Sequence, residues 1–167
     1  PLSCNVCQPH FSAPTNIYLP MNIYITSATL VDANLEVGDE IGVFDKDNGC
    51  VGQGVVRQTI SINSPLEIIV SLDDPNTSGT DGFIAGNEIL FRYWDSSTNT
   101  EYPWITAGSI SGSGSSFLFA SQGDVWVSLS LANLSNNNSG FYPQSFHIQD
   151  AYPNPFNPAI NIDYEIS

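Results

Sequence analysis

"GDEIGVFDKDNGCVGQGVVRQTI", residues 38–60, decides how this chain folds. Apolar and small residues alternate in "GDEIGVFD", 38–45, and again in "CVGQGVVRQTI", 50–60. Between them "DKDNG", 45–49, supplies the Asp, Asn and Gly that tight turns use. The pattern predicts two antiparallel strands joined as a hairpin.

Working outward, period-two alternation recurs and no amphipathic helix is legible. "NIYLPMNIYITSATLV", 16–31, sets Ile17, Leu19, Met21, Ile23 and Ile25 on one face. Pro20 interrupts that ladder, which predicts an edge or bent strand. "PLEIIVSL", 65–72, is short and strongly apolar. "EILFRYWD", 88–95, alternates Ile89, Phe91 and Tyr93 against Leu90, Arg92 and Trp94. "TEYPWITA", 100–107, returns from the turn "SSTN", and "SSFLFA" and "DVWVSLSL" follow, with Val125, Val127, Leu129 and Leu131 inward. Seven or eight short strands punctuated by Gly, Asn, Asp and Ser predict an all-β, antiparallel β-sandwich, jelly-roll or Ig-like, with the connectivity open. The expected organisation is an N-terminal arm with a CxxC pair over 1–15 and a sandwich body over 16–132. A linker over 133–150, opening on the polar run "NLSNNNSG", leads to a proline-rich arm and terminal strand over 151–167.

Charge narrows the function. Seventeen acids face three bases among 167 residues, a net −14. Such a surface repels a phosphate backbone, which argues against nucleic acid, and it repels anionic membranes. No run reaches the roughly 18 apolar residues of a membrane helix, so no membrane span is expected. A start at Pro1 without Met is what a cleaved signal peptide would leave. "CNVC", Cys4 and Cys7, has no second pair to complete a zinc site, no His after Cys7 for haem, and no legible helix for a redox motif. The expectation is a structural disulfide from Cys50 to Cys4 or Cys7, with the odd thiol free or paired between molecules.

The stretch 151–167, "AYPNPFNPAINIDYEIS", carries the functional argument. Pro153, Pro155 and Pro158 fix φ and remove three N–H donors, and the residues before them are held extended. With Phe156 they make a stiff stalk. Beyond it Ile160, Ile162, Tyr164 and Ile166 face one way, and Asn161, Asp163, Glu165 and Ser167 the other. A lone strand of that kind is unstable in water. Covering its four apolar side chains is worth roughly 6–12 kcal/mol before ordering costs. The cover is either the chain's own sandwich or a neighbouring molecule, by strand addition. A stiff stalk favours reaching outward, and head-to-tail donation gives a filament when the rotation does not close. The expected acceptor is an apolar groove between sheets, or the bent strand near Pro20.

"YPNPFNP", 152–158, followed by a strand ending in Tyr-x-Ile, resembles the opening of the C-terminal sorting domains of the type 9 secretion system, found in Bacteroidetes and related phyla. The resemblance implies export across an outer membrane. In that family several more strands follow, and here there is one. "LEVGDEIGVFDKDNGCVGQGVV", 35–56, is similar to a recurring hairpin module of secreted proteins from the same bacteria, which implies an extracellular or cell-surface place and brings no catalytic residues.

Other chemistry was weighed against bland alternatives. Asp45, Asp47 and Asn48 in one loop, and Asp73, Asp74, Asn76 and Asp81 in another, are oxygen donors of the kind calcium takes, and also what β-turns want. Trp94, Trp104 and Trp126 are candidates for an aromatic contact surface, for a glycan or a protein. Glu88, Asp95 and Glu101 could be arranged as a carboxylate pair for glycoside cleavage, and nothing in their spacing selects them over solvated faces. No nucleophile elbow or phosphate loop is present. The sequence therefore reads as a secreted, non-enzymatic structural subunit that self-assembles as a homopolymer, with a carbohydrate-binding or adhesive module as the alternative.

Overall fold

The computed structural model describes residues 9–47, 49–103, 105–109, 117–131, 146–148 and 164–166. These residues are all-β, and no helix among them could cross a membrane. The chain divides into two units, Pro1–Asn133 and Leu134–Ser167.

The first unit is a sandwich of two sheets. One holds β1 (Met21–Leu30), β2 (Ala33–Asn34), β5 (Leu66–Val70), β8 (Thr106–Ser109) and β9 (Asp124–Leu131). The other runs β4–β3–β6–β7, from β3 (Glu40–Asp45), β4 (Gly49–Val55), β6 (Ile89–Asp95) and β7 (Thr100–Tyr102). The expected hairpin is β3–β4, with Glu40 opposite Val55 and Asp45 opposite Gly49. Inward-facing residues of both sheets, Ile23, Ile41, Ile68, Phe91, Val127 and Leu129 among them, form one buried core. Their alternation with outward polar residues is the period-two pattern of the sequence.

Three expectations change. The strand at Pro20 is not an edge: β1 starts at Met21, after the proline, and lies in the middle of its sheet. It pairs with β9 on one side and with β5 and β2 on the other. Leu19 turns the chain at φ 45°, so the missing proline N–H falls outside the ladder. The β1–β9 ladder is parallel, the one departure from antiparallel pairing among the named strands. A bulge between Ile25 and Ser27 lets Thr26 turn inward, where its hydroxyl donates to the Val127 carbonyl. Finally, "TEYPWITA" is two strands. Pro103 ends β7 in one sheet, and β8 begins at Thr106 in the other, because a residue without an N–H breaks the ladder where the chain crosses over. "SSFLFA" contributes a single bridge, Leu118 to Glu88, while Phe117 and Phe119 are buried.

In the second unit β10 (Phe146–Ile148) pairs antiparallel with β11 (Tyr164–Ile166). Phe146 faces Ile166 and Ile148 faces Tyr164 in register. The expected linker over 133–150 thus contains a three-residue strand, too short for its alternation to stand out.

Gly82 reports on the tightest backbone packing. A Cβ there would lie 2.5 Å from the Leu72 carbonyl carbon and oxygen, backbone atoms that cannot rotate aside. Gly82→Ala is expected to cost about 1–3 kcal/mol in chemical denaturation. A variant as stable as the parent would contradict this packing.

Candidate functional site

Two surfaces of the sandwich stand out. The first is the outer face of the four-stranded sheet. Register places Glu40, Gly42 and Phe44 of β3 beside Trp94, Arg92 and Leu90 of β6, with Glu101 of β7 next to Trp94. The segment 9–11 lies across it. Gly42 has no side chain, and a Cβ there would come within 2.9 Å of Phe11 Cγ, so Phe11 occupies that space and is buried. Its ring meets Phe44 edge-on at 5.6 Å. His10 stacks on Trp94 with centroids 3.7 Å apart and planes 2° from parallel. The buried Glu40 carboxylate accepts from both backbone N–H groups, His10 at 2.9 Å and Phe11 at 3.1 Å. His10 Nε2 lies 3.0 Å from one Glu101 oxygen, and Arg92 donates to the other at 3.0 Å while covering the Phe44 ring. These bonds, that from His10 foremost, hold the Glu101 carboxyl below its ordinary value. The N-terminal arm expected over 1–15 is therefore fastened at its described end.

Cys50 sits on this face opposite Phe44, and it forms no disulfide among the described residues. Burial pushes its pKa up, and its Sγ contacts the Gly52 carbonyl oxygen at 3.4 Å. Cys4 and Cys7 lie outside the described residues.

The second surface is an edge. β4 pairs with β3 alone and β5 with β1 alone among the described strands. Between these edges runs a groove of about 600 Å³, walled by residues 53–58 and 64–67 with Pro9. Gly54 lines it, and beside it β4 and β5 approach closely: Cβ atoms at Gly52 and Gly54 would lie 2.5 Å from Val70 and 2.9 Å from Ile68. The connecting loop is closed by reciprocal backbone bonds between Ser61 and Ser64. Gln53 Oε1, in the groove wall, is shut off from water without a hydrogen-bond partner among the described residues.

The acidic loops are held by their own chain. Asp45, buried, accepts from the Asp47 and Ile84 backbone N–H groups and the Asn87 amide. Asp73 accepts from the Asp81 N–H, Asp81 from the Asp74 N–H, and Asp74 from the Asn76 N–H. Those backbone bonds come first among the causes that lower the Asp74 and Asp81 pKa values. Donors point at the oxygens a cation would need, so the set fits turn chemistry and not calcium. No group of three His, Cys, Asp or Glu among the described residues is arranged to hold a metal ion. Asn48 lies outside those residues.

Trp94 and Trp126 stand on different sheets, so they form no common platform. Trp126 stacks on Tyr24 at 4.6 Å, as Trp94 does on His10. Trp104 lies outside the described residues. Among the remaining carboxylates, Asp95 binds Ser97 and Thr98 of its own turn and Glu88 is exposed. Of the terminal arm, Tyr164 and Ile166 fall in β11, while Pro153, Pro155, Phe156, Pro158, Ile160 and Ile162 lie outside the described residues. The arm contact at His10 and Phe11 was not legible, since two residues give no periodicity. The bare Gly42 opposite Arg92 was its only trace.

Comparison with models of protein families, with curated proteins and with solved structures finds no match to this chain.

The lowered Glu101 pKa makes the arm contact pH-dependent. A carboxyl depressed in the folded state contributes stability above its unfolded pKa and loses it as pH falls through the folded value. Glu101→Gln is expected to cost on the order of 1 kcal/mol near neutral pH. The gap should close as pH drops below the ordinary glutamate value of 4.5. Thermal scans of both proteins from neutral pH downward measure it, and a gap independent of pH would refute the contact's role.

Proposed function

We propose that this chain is a secreted extracellular structural subunit that self-assembles into a filament or surface layer by donating its strand over 159–167 to a neighbouring copy. The observation that carries the reading is the shortness of the ribbon that holds the described part of that strand, β11 (Tyr164–Ile166). Among the described residues it has three partners, in a ribbon of two strands. Such a ribbon is marginal by itself in water. Ile160, Ile162, Tyr164 and Ile166 alternate along the sequence, so an extended strand over them presents one apolar face that needs cover. Open strand edges on the sandwich supply a template for addition.

Export is part of the same proposal. The "YPNPFNP" stretch resembles a type 9 sorting signal, and the acidic composition suits an extracellular surface. The β3–β4 hairpin lies where the resemblance to secreted modules falls. Nothing in the sandwich favours catalysis over this structural role. The carbohydrate-binding alternative is weakened by the stacking of His10 on Trp94 and Tyr24 on Trp126, which occupies one face of each indole that a sugar ring would use.

Electron microscopy and sedimentation of the purified full chain test assembly. The full chain is expected to form polymers, and deletion of 159–167 to leave a folded, non-polymerising sandwich. Excess synthetic 151–167 peptide should shorten the polymers by capping acceptors. A full chain that stays monomeric, or a deletion that polymerises equally well, would rule the reading out.

A further inference from the structure

We infer that the acceptor in this assembly is the groove between the open edges of β4 and β5, and that its occupant is the strand over 159–167 of a second copy. The inference rests on the assembly reading above and adds the place where the strand binds.

The argument starts from the edges. β4 and β5 belong to different sheets, and each lacks a second strand neighbour among the described residues. Both border the same groove. An added strand there can bond to an unpaired edge while setting its apolar side chains against the half-buried Ile60 and Leu66. Alternation supplies that face, because Ile160, Ile162, Tyr164 and Ile166 recur every second residue.

Charge then selects the occupant. With a net −14, copies of this chain repel one another unless local cations intervene. The chain has three cations. Lys46 lies 3.7 Å from Asp47, and Arg92 donates to Glu101. Arg57 has no carboxylate within ion-pair distance among the described residues, is exposed, and stands on the groove wall. The polar face of the strand over 159–167 carries Asp163 and Glu165. Glu67, on the opposite wall, repels those acids and so turns them towards Arg57. The other candidates are poorer. β7 is three residues long and carries Glu101, and the outer face of its sheet is covered by His10 and Phe11. β1, near Pro20, is paired on both sides.

A charge swap in the full chain tests this. Arg57 is exposed, so Arg57→Glu should keep the wild-type circular dichroism and thermal midpoint. It is expected to raise the concentration needed for polymer formation by about tenfold or more. Asp163→Lys with Glu165→Lys should do the same, and the triple variant, with both sides reversed, should recover polymerisation. If wild type and Arg57→Glu assemble alike while deletion of 159–167 abolishes polymers, strand donation stands and this acceptor is wrong. Loss of assembly in Arg57→Glu without recovery in the triple variant also overturns it. If the wild-type chain does not assemble, the assembly reading itself fails.

Discussion

The contact between the bare backbone of Gly52 and Gly54 and the branched side chains of Ile68 and Val70 is the constraint on which the edge of this molecule depends. Sheets stacked face to face normally stand about 10 Å apart, with side chains from both filling the gap. At Gly52 and Gly54 one sheet contributes no side chains, so β5 can settle directly on β4 there. The sandwich closes there by packing, and the outward backbone groups of the two strands gain no ladder partner from it. Any larger residue at Gly52 would push the sheets apart and open the core at Val43, which lies 3.4 Å from the same point. Closure of the core and openness of the edge are thus two results of one pair of glycines.

A second theme is what the acids do. A net charge of −14 read from composition suggests solubility. The structure gives several of those acids a more local task. Asp39 accepts from the Glu36 N–H and from Ser96, Asp45 from the Ile84 N–H, and Glu40 from two successive N–H groups. Each satisfies backbone donors where a loop or arm leaves the ladder, and bonds to a charged acceptor are stronger than neutral ones. Glu40 lets a segment with no strand partner lie against a sheet face, and Gly42 makes room for the ring that seals it. All six residues of β3 are consequently buried, though β3 lies in only one of two layers.

How much of this was legible follows from which interactions are local. The β3–β4 hairpin was readable because its two strands and turn are contiguous, and so were the inward faces of β6 and β9. The parallel pairing of β1 with β9 was not, because a strand's own alternation is the same whichever way its neighbour runs. Pro20 misled because proline marks the end of a ladder as readily as an interruption within it. The groove was expected only as a type, an apolar cleft between sheets. Its position depends on Gly54 meeting Ile68 across fourteen residues, which no local pattern encodes.

The charge pattern bears on how an acidic chain can add to itself at all. Repulsion between copies sums over many exposed carboxylates and acts at long range, and salt screens it over about 8 Å at physiological strength. An Arg57–carboxylate pair acts at contact distance and is one interaction among them. Salt weakens both, but the summed repulsion has more to lose, so moderate ionic strength favours association. In the proposed assembly the apolar face of the incoming strand would be indifferent to salt at that level and would supply most of the binding free energy. Arg57 then matters for selection more than for strength. In the proposed assembly it would make one edge of an otherwise acidic body tolerant of an acidic strand.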